Sequence, residues 1–343
     1  MFKLSFRLSL RFAACVAALA CATAAQAQTV WKYSSWLPPS HAAYDGFIKV
    51  WAKQVEEATQ GRVKVEVVPP LGTPQAHYDL VRNGVADVTN ITTAYTANRF
   101  VLLKGLEMPF MSDQNSAMSI AAWRTYEKFF AKANEFEGVK LGGLFIVGPY
   151  QVYTTKKEIK VIDDLKGQKI REAGGMTKEV VEALGATPFF APAPQTYDVL
   201  SKGVGDGVLF PPESIPGFKV TSAIKYGLHV DGGFNQAVQA LIINEAKWKA
   251  LSPQDQAAVG KLLGEHTARL WGELWDKTNA AAVQTMKKEG VTITTATGPL
   301  LSDVQRRLKT IEGVWVGDAQ KRNVDGKAAL AFMRDEVRKL EKR

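Results

Sequence analysis

The stretch Asp164-Leu165-Lys166-Gly167-Gln168-Lys169-Ile170-Arg171-Glu172-Ala173-Gly174-Gly175 decides how this chain is read. Asp-Leu-Lys-Gly predicts a turn and Ile170-Arg171 the end of a brief strand. The Gly-Gly pair then frees the backbone before a helix that begins near Thr177. An arginine at the carboxyl end of a strand stands where α/β sheets present ligands, and its planar fork of donors fits a carboxylate bidentately. Arg171 is therefore the candidate anchor of a binding site. The competing reading is a solvated charge at a strand end, where most arginines are found.

An internal echo sets the architecture around it. Tyr78-Asp79-Leu80-Val81-Arg82-Asn83-Gly84-Val85-Ala86-Asp87 returns as Tyr197-Asp198-Val199-Leu200-Ser201-Lys202-Gly203-Val204-Gly205-Asp206, with five positions identical and two more exchanging leucine and valine. Each copy reads as the end of a helix, a glycine able to take the left-handed conformation, and a turn into a strand. Each follows a strand candidate, Val63 to Val68 in one case and Thr187 to Phe190 in the other. Two similar α/β units imply two lobes, and a cleft between lobes is a natural ligand site.

The remaining segments fit around these units. Val30 to Ser35 reads as a strand ending at Trp36-Leu37-Pro38-Pro39-Ser40, and Tyr44 to Thr59 as an amphipathic helix closed by Gly61. Leu141 to Val147 and Gln151 to Thr155 are strands on either side of Gly148-Pro149, a crossover between lobes, and Val238 to Ile243 is placed to cross back. Ser252-Pro253-Gln254-Asp255 opens a helix with an N-cap and a first-turn proline. Its apolar face is expected to run through Leu262, Leu263, His266, Leu270, Leu274, Val283 and Met286 as far as Gly290. Some 35 residues of helix would reach about 50 Å, enough to brace both lobes. Leu300 to Arg343 reads as a packed C-terminal helix pair. The expected division is a signal peptide over 1–27, a first lobe of 28–148 plus 237–276, and a second lobe of 149–236 plus 277–343 that includes the C-terminal helices.

The leader reading rests on Lys3, Arg7 and Arg11, the apolar run Phe12 to Ala22, and the small-residue cleavage site Ala25-Gln26-Ala27. No later segment reaches the roughly 18 apolar residues of a membrane span. Ala18-Leu19-Ala20-Cys21 loosely resembles a lipoprotein cleavage site, but Ala18 stands where leucine is usual. Both cysteines, Cys15 and Cys21, fall inside the leader, so the exported part is held by burial alone. Loss of the leader lowers the formal charge from +9 to +6. That mild excess, without a basic run interleaved with aromatics, does not call for a nucleic-acid partner and suits small anions.

Taken together, several of these features resemble the periplasmic solute-binding proteins of TRAP transporters, the C4-dicarboxylate-binding family. They are the leader, the two lobes, Asp-Leu-Lys-Gly-x-Lys-Ile-Arg from Asp164 to Arg171, Leu-Gly-Ala-x-Pro from Leu184 to Pro188, Tyr-x-x-Leu-x-x-Gly-x-x-Asp-Gly from Tyr197 to Gly207, Leu106-Glu107-Met108-Pro109-Phe110, and the long late helix. The resemblance implies a two-lobed α/β solute-binding fold and a periplasmic, non-catalytic receptor without a cofactor. Such a receptor closes on a small organic acid, meets its carboxylate with Arg171, and delivers it to membrane permease subunits. Two positions depart from the pattern. Gln151 stands where relatives often carry a second basic residue, and Phe210 where they often carry asparagine. Both changes favour a monocarboxylate, a hydroxy or keto acid with an apolar or aromatic tail. Loops after strands supply the other candidates: Trp36, Tyr95, Phe210 and Phe234 as apolar walls, and Gln151, Glu213, Asn235 and Gln236 as polar contacts. For each aromatic, ordinary packing is an equally good reading. His41 follows the Pro-Pro turn and has two readings, a residue at the cleft mouth or, as is commoner for a lone loop histidine, a merely solvated one.

Enzyme readings find little support. The four histidines have no metal-ligand spacing, and neither a Gly-x-Ser-x-Gly elbow nor a phosphate-binding loop occurs. A secreted hydrolase of small acids built on paired carboxylates is the alternative, and a ligand receptor that signals to a membrane sensor is a third.

Overall fold

A computed structural model describes residues 28–342; the predicted leader, with both cysteines, lies outside the described residues. Eleven strands are described: β1 (Thr29–Ser34), β2 (Val63–Val68), β3 (Val88–Thr92), β4 (Val139–Val147), β5 (Gln151–Thr154), β6 (Lys169–Glu172), β7 (Thr187–Phe190), β8 (Gly207–Phe210), β9 (Tyr226–His229), β10 (Ala237–Asn244) and β11 (Thr292–Thr295). They form two sheets, ordered β2-β1-β3-β10-β4 and β11-β9-β5-β8-β6-β7. β10 lies antiparallel between β3 and β4. Every residue of β10 is buried, as expected of a central strand covered on both faces.

The echoed segments do the same job twice. β1 is flanked in parallel by β2 and β3, and β6 by β7 and β8. In each unit a short helix, His77–Arg82 or Thr196–Ser201, ends at a glycine with positive φ, Gly84 at 75° or Gly203 at 71°, a conformation that costs glycine nothing. The closing aspartates correspond atom for atom. Lys32 N donates to Asp87 Oδ2 at 2.8 Å and Lys169 N to Asp206 Oδ2 at 2.9 Å. The amides of Asp87 and Asp206 donate in turn to the carbonyls of Lys32 and Lys169. The shared aspartate thus ties the third strand of each unit to its first.

The chain crosses between sheets where the sequence suggested, from β4 to β5 through Gly148-Pro149 and back from β9 to β10. A third passage runs along the helix Glu265–Lys288, which packs on β4 and the helix Asn115–Thr125 and then delivers β11 to the second sheet. This helix is shorter than expected, 24 residues or about 36 Å. It is separated from the helix Pro253–Gly260 by a turn at Gly264, whose φ is +64°. The turn's backbone is used elsewhere: Gly264 N donates to Gly142 O, and Leu262 O accepts from Trp51 Nε1 at 3.1 Å. A continuous helix would have to break both bonds. The buried stripe is also displaced from the one expected. Thr267, Ala268, Trp271, Trp275, Asn279, Ala282 and Met286 face inward, while Leu270, Leu274 and Val283 are only partly covered. Two tryptophans four residues apart set that face. Trp271 stacks on Trp275 at 4.0 Å and on Phe145 at 4.2 Å.

The C-terminal part holds three helices rather than a pair: Gly298–Leu308, Ile311–Lys321 and Gly326–Glu341. The first packs beside Met176–Ala183 of the second lobe. The last, expected with that lobe, instead lies on Asn115–Thr125 of the first. Arg124 fixes it there, reaching Glu336 at 2.8 Å and Glu265 at 2.9 Å.

Among the described residues no helix is long and apolar enough to cross a membrane. The fold is held by burial, and Trp51 shows how. It is fully buried, meets Tyr33 edge-on and pins the 261–264 turn. Trp51→Ala is expected to cost about 3–5 kcal/mol in urea unfolding, by lost transfer energy and the cavity left behind. Val314→Ala, at a site 59% exposed, should stay within about 0.5 kcal/mol of the parent. Equal effects would contradict this account of the core.

Candidate functional site

The second sheet carries, on the strand next to its β7 edge, an arginine that no solvent reaches. β6 pairs with β7 on one side and β8 on the other, so its carboxyl end opens on the crevice between two diverging connections, where α/β sheets bind ligands. Arg171 is 0% exposed. Its Nε donates to Ala191 O at 2.7 Å, and its guanidinium lies 4.7 Å from the centre of the Phe210 ring. Nη1 and Nη2 are both buried and find no partner among the described residues. A guanidinium cannot shed its proton to escape this position. A buried cation with two open donors is costly unless an anion meets it.

The space in front of Arg171 is walled by residues of both lobes. Trp36, Tyr95 and Gln239 come from the first, Tyr150 from the crossover, Phe210, Ser214 and Phe218 from the second, and Trp271 and Trp275 from the bracing helix. Each wall is positioned by a nearby bond or stack. Trp36 Nε1 donates to Asn90 O at 2.8 Å, Asn90 Nδ2 donates to Gln239 Oε1 at 2.8 Å, and Phe210 stacks on Phe218 at 5.8 Å. The enclosed volume is about 20 Å3 for the centre of a water-sized sphere, room for about one water. Entry of anything larger requires the lobes to part.

Four contacts hold the lobes together around this space. Ala193 N donates to the Tyr95 hydroxyl at 2.9 Å. Lys104 Nζ meets Glu179 Oε1 at 2.6 Å. His41 Nε2 lies 3.4 Å from Glu213 Oε1. The fourth is an approach of bare backbone: a Cβ built on Gly174 would stand 2.6 Å from the Ala94 carbonyl oxygen across the cleft. With φ at +90°, Gly174 occupies a conformation and a space that only glycine fills without strain.

The sequence candidates divide sharply. Arg171, Phe210, Trp36 and Tyr95 all line the cavity. Glu213 sits just behind the wall, against His41. The other four face elsewhere. The Gln151 amide is consumed by a pair of 2.9 Å bonds to the main chain of Val230. Gln236 donates to Ser112 O and Asn235 to Gln236 O, both at 2.7 Å. Phe234 is fully buried where the chain crosses back, its amide donating to Tyr150 O. These residues pack the hinge side, because the 230–236 segment is a crossover between sheets rather than a loop at strand ends. His41 is not the solvated residue of its commoner reading: it is 3% exposed and lines the cavity. Tyr150, Trp271 and Trp275 were missed, although the 271/275 spacing on one helix face was a usable signal.

Burial governs the ionisable groups of the site. It pushes the Tyr95 hydroxyl up despite the opposing pull of Arg171, and raises that of Tyr150. It lifts the Glu213 carboxyl to about 8 and lowers His41 to about 4. At neutral pH Arg171 is thus the one fixed charge on the cavity lining among the described residues. The geometry suits a single planar anion held in an aromatic enclosure. No group of metal-ligating side chains occurs among the described residues.

Known proteins agree with this picture. Residues 33–312 match the bacterial extracellular solute-binding protein family 7. A transporter protein of Comamonas testosteroni, TsaT, described as an outer membrane protein, is 31% identical over 96% of this chain and 98% of its own length. A TRAP periplasmic solute-binding protein from Bordetella bronchiseptica, solved with bound (R)- and (S)-mandelate, is 40% identical. It covers 91% of this chain and 99% of its own, with a TM-score of 0.89. One from Rhodoferax ferrireducens, solved with copurified benzoate, is 29% identical over 92% and 99% of the two chains, with a TM-score of 0.86. The chain belongs to family 7 of the bacterial extracellular solute-binding proteins, the solute receptors of TRAP transporters, and is not an enzyme.

Proposed function

We propose that this protein is a periplasmic receptor that captures a small aromatic monocarboxylate, such as a hydroxy or keto acid with a ring, through Arg171 and delivers it to the membrane permease of a TRAP system. The observation that carries the reading is the pair of buried, unpartnered Nη atoms of Arg171, matched to a carboxylate in both charge and shape. The Phe210, Tyr150, Trp36 and Trp275 rings around it favour a flat apolar body. Relatives solved with mandelate and benzoate support that class.

The ground for expecting one carboxylate shifts from the sequence reading. Gln151 is turned toward Val230 and has no part in the argument; the cavity instead carries a single cation. Capture follows from the contacts described above. In the parted form Arg171 is open to water. As the lobes close, a carboxylate takes over the two open donors while Tyr95 engages Ala193, so anion pairing and closure reinforce each other.

Two outcomes are expected by calorimetry with mandelate or benzoate. Arg171→Ala should weaken binding by about 3–5 kcal/mol, more than a hundredfold in Kd, because the carboxylate would be buried without its partner; unchanged affinity would reject the assignment. Gly174→Ala, which touches no wall of the cavity, should weaken binding at least tenfold by obstructing closure against Ala94. Parental affinity would show that the lobes need not meet there.

A further inference from the structure

His41 and Glu213 face each other from opposite lobes, 3.4 Å apart. We propose that this pair is the specificity gate of the cavity, limiting the receptor to ligands with one negative charge by closing the end remote from Arg171 against a second carboxylate. The inference rests on the reading that Arg171 holds the first carboxylate.

The position follows from a chain of ring contacts. Arg171 lies over Phe210, Phe210 stacks on Phe218, and Phe218 lies 4.8 Å from the His41 ring. His41 therefore stands two aromatic layers away from the cation, with Trp275 on its other side at 6.0 Å. Arg171 and His41 line the same cavity, with Glu213 directly behind His41, so a benzene ring with its carboxylate on Arg171 occupies a space that His41 also walls.

The chemistry of the pair follows from its hydrogen bonds. Ala43 N donates to His41 Nδ1 at 3.2 Å, so Nδ1 is an acceptor and the ring proton resides on Nε2, facing Glu213. The imidazole is neutral in this arrangement. Ser214 Oγ donates to Glu213 Oε2 at 3.2 Å, and Asn279 Oδ1 holds the Glu213 amide at 3.0 Å. Gly217 leaves room for both: a Cβ there would lie 3.0 Å from Glu213 Oε1 and 3.2 Å from His41 Cδ2. The other titratable groups on the cavity are Tyr95, Tyr150 and Arg171, and only Arg171 is a cation. A second carboxylate would thus be buried beside an acid without a counter-charge, which desolvation forbids. A hydrogen or a hydroxyl meets no such penalty. Burial keeps the Glu213 proton on until pH about 8; above that the acid is ionised and its refusal of an anion grows.

The test measures benzoate and terephthalate, identical except for the second carboxylate, by calorimetry from pH 6 to 9 on the parent, Glu213→Gln and His41→Lys. The parent should prefer benzoate at least a hundredfold at pH 7, and the preference should widen as pH rises through 8. Glu213→Gln should lose that widening. His41→Lys, which brings a cation to this end, should narrow the preference at least tenfold. A preference that neither variant alters, with Arg171→Ala still abolishing benzoate binding, overturns the gate and leaves the receptor reading intact. Equal parental affinity for the two acids does the same, whereas a parent that binds neither acid overturns both.

Discussion

A guanidinium sealed from water with both its Nη groups open is the constraint on which the rest of this structure turns. Interior charges are tolerated only when paired, and Arg171 has one bond, to Ala191 O, for five donor hydrogens. The aromatic lining, the small enclosed volume and the cross-cleft contacts are intelligible as ways to supply and then seal a removable anion. A permanent internal carboxylate would have stabilised the arginine and left nothing to bind. The nearest one in sequence, Glu172, instead accepts from the Gly174 amide, where it steadies the turn that meets the other lobe.

The internal repeat shows how one scaffold places a cavity-lining arginine in only one of its copies. Aspartates 87 and 206 tie the third strand to the first in each unit, and the strand registers match, Tyr33 opposite Val88 and Ile170 opposite Gly207. By that register Arg171 corresponds to Ser34. Ser34 Oγ is spent on structure, contacting His77 Nε2 at 3.1 Å and accepting from Leu71 N at 3.0 Å. The backbone thus offers the same strand-end location twice, and the side chain decides which copy presents a buried cation to the cavity.

Most of the architecture was legible in the sequence because it rests on local signals. Helix-ending glycines, the repeated aspartate and the apolar runs of β4 and β10 announce themselves within ten residues, and the two lobes follow from them. The late helix is shorter than its apolar pattern suggests, broken off from Pro253–Gly260 by the turn at Gly264. What ends the helix is a tertiary claim on the turn's backbone, by Trp51 and Gly142, which no local pattern encodes. The last helix was assigned to the wrong lobe for a similar reason, since Arg124 lies more than two hundred residues from its partner Glu336. Of the candidates, Arg171 and Phe210 at strand ends line the cavity, whereas those on the crossover pack elsewhere. Gln151, Asn235 and Gln236 have the same composition as ligand contacts, yet their amides satisfy main-chain groups at the hinge. The burial of His41 was not legible because a solitary histidine after a proline turn carries no periodic signal; it depends on Phe218, Trp275 and Glu213 arriving from distant segments.

The most direct test of the central claim is a crystal structure of the receptor with bound benzoate. The account predicts both carboxylate oxygens about 2.7–2.9 Å from Nη1 and Nη2 of Arg171, one on each, with the ring between the two lobes in a cavity widened from the one described here. A carboxylate bound away from these atoms, or an Arg171 side chain turned out to solvent with the ligand in place, would contradict it.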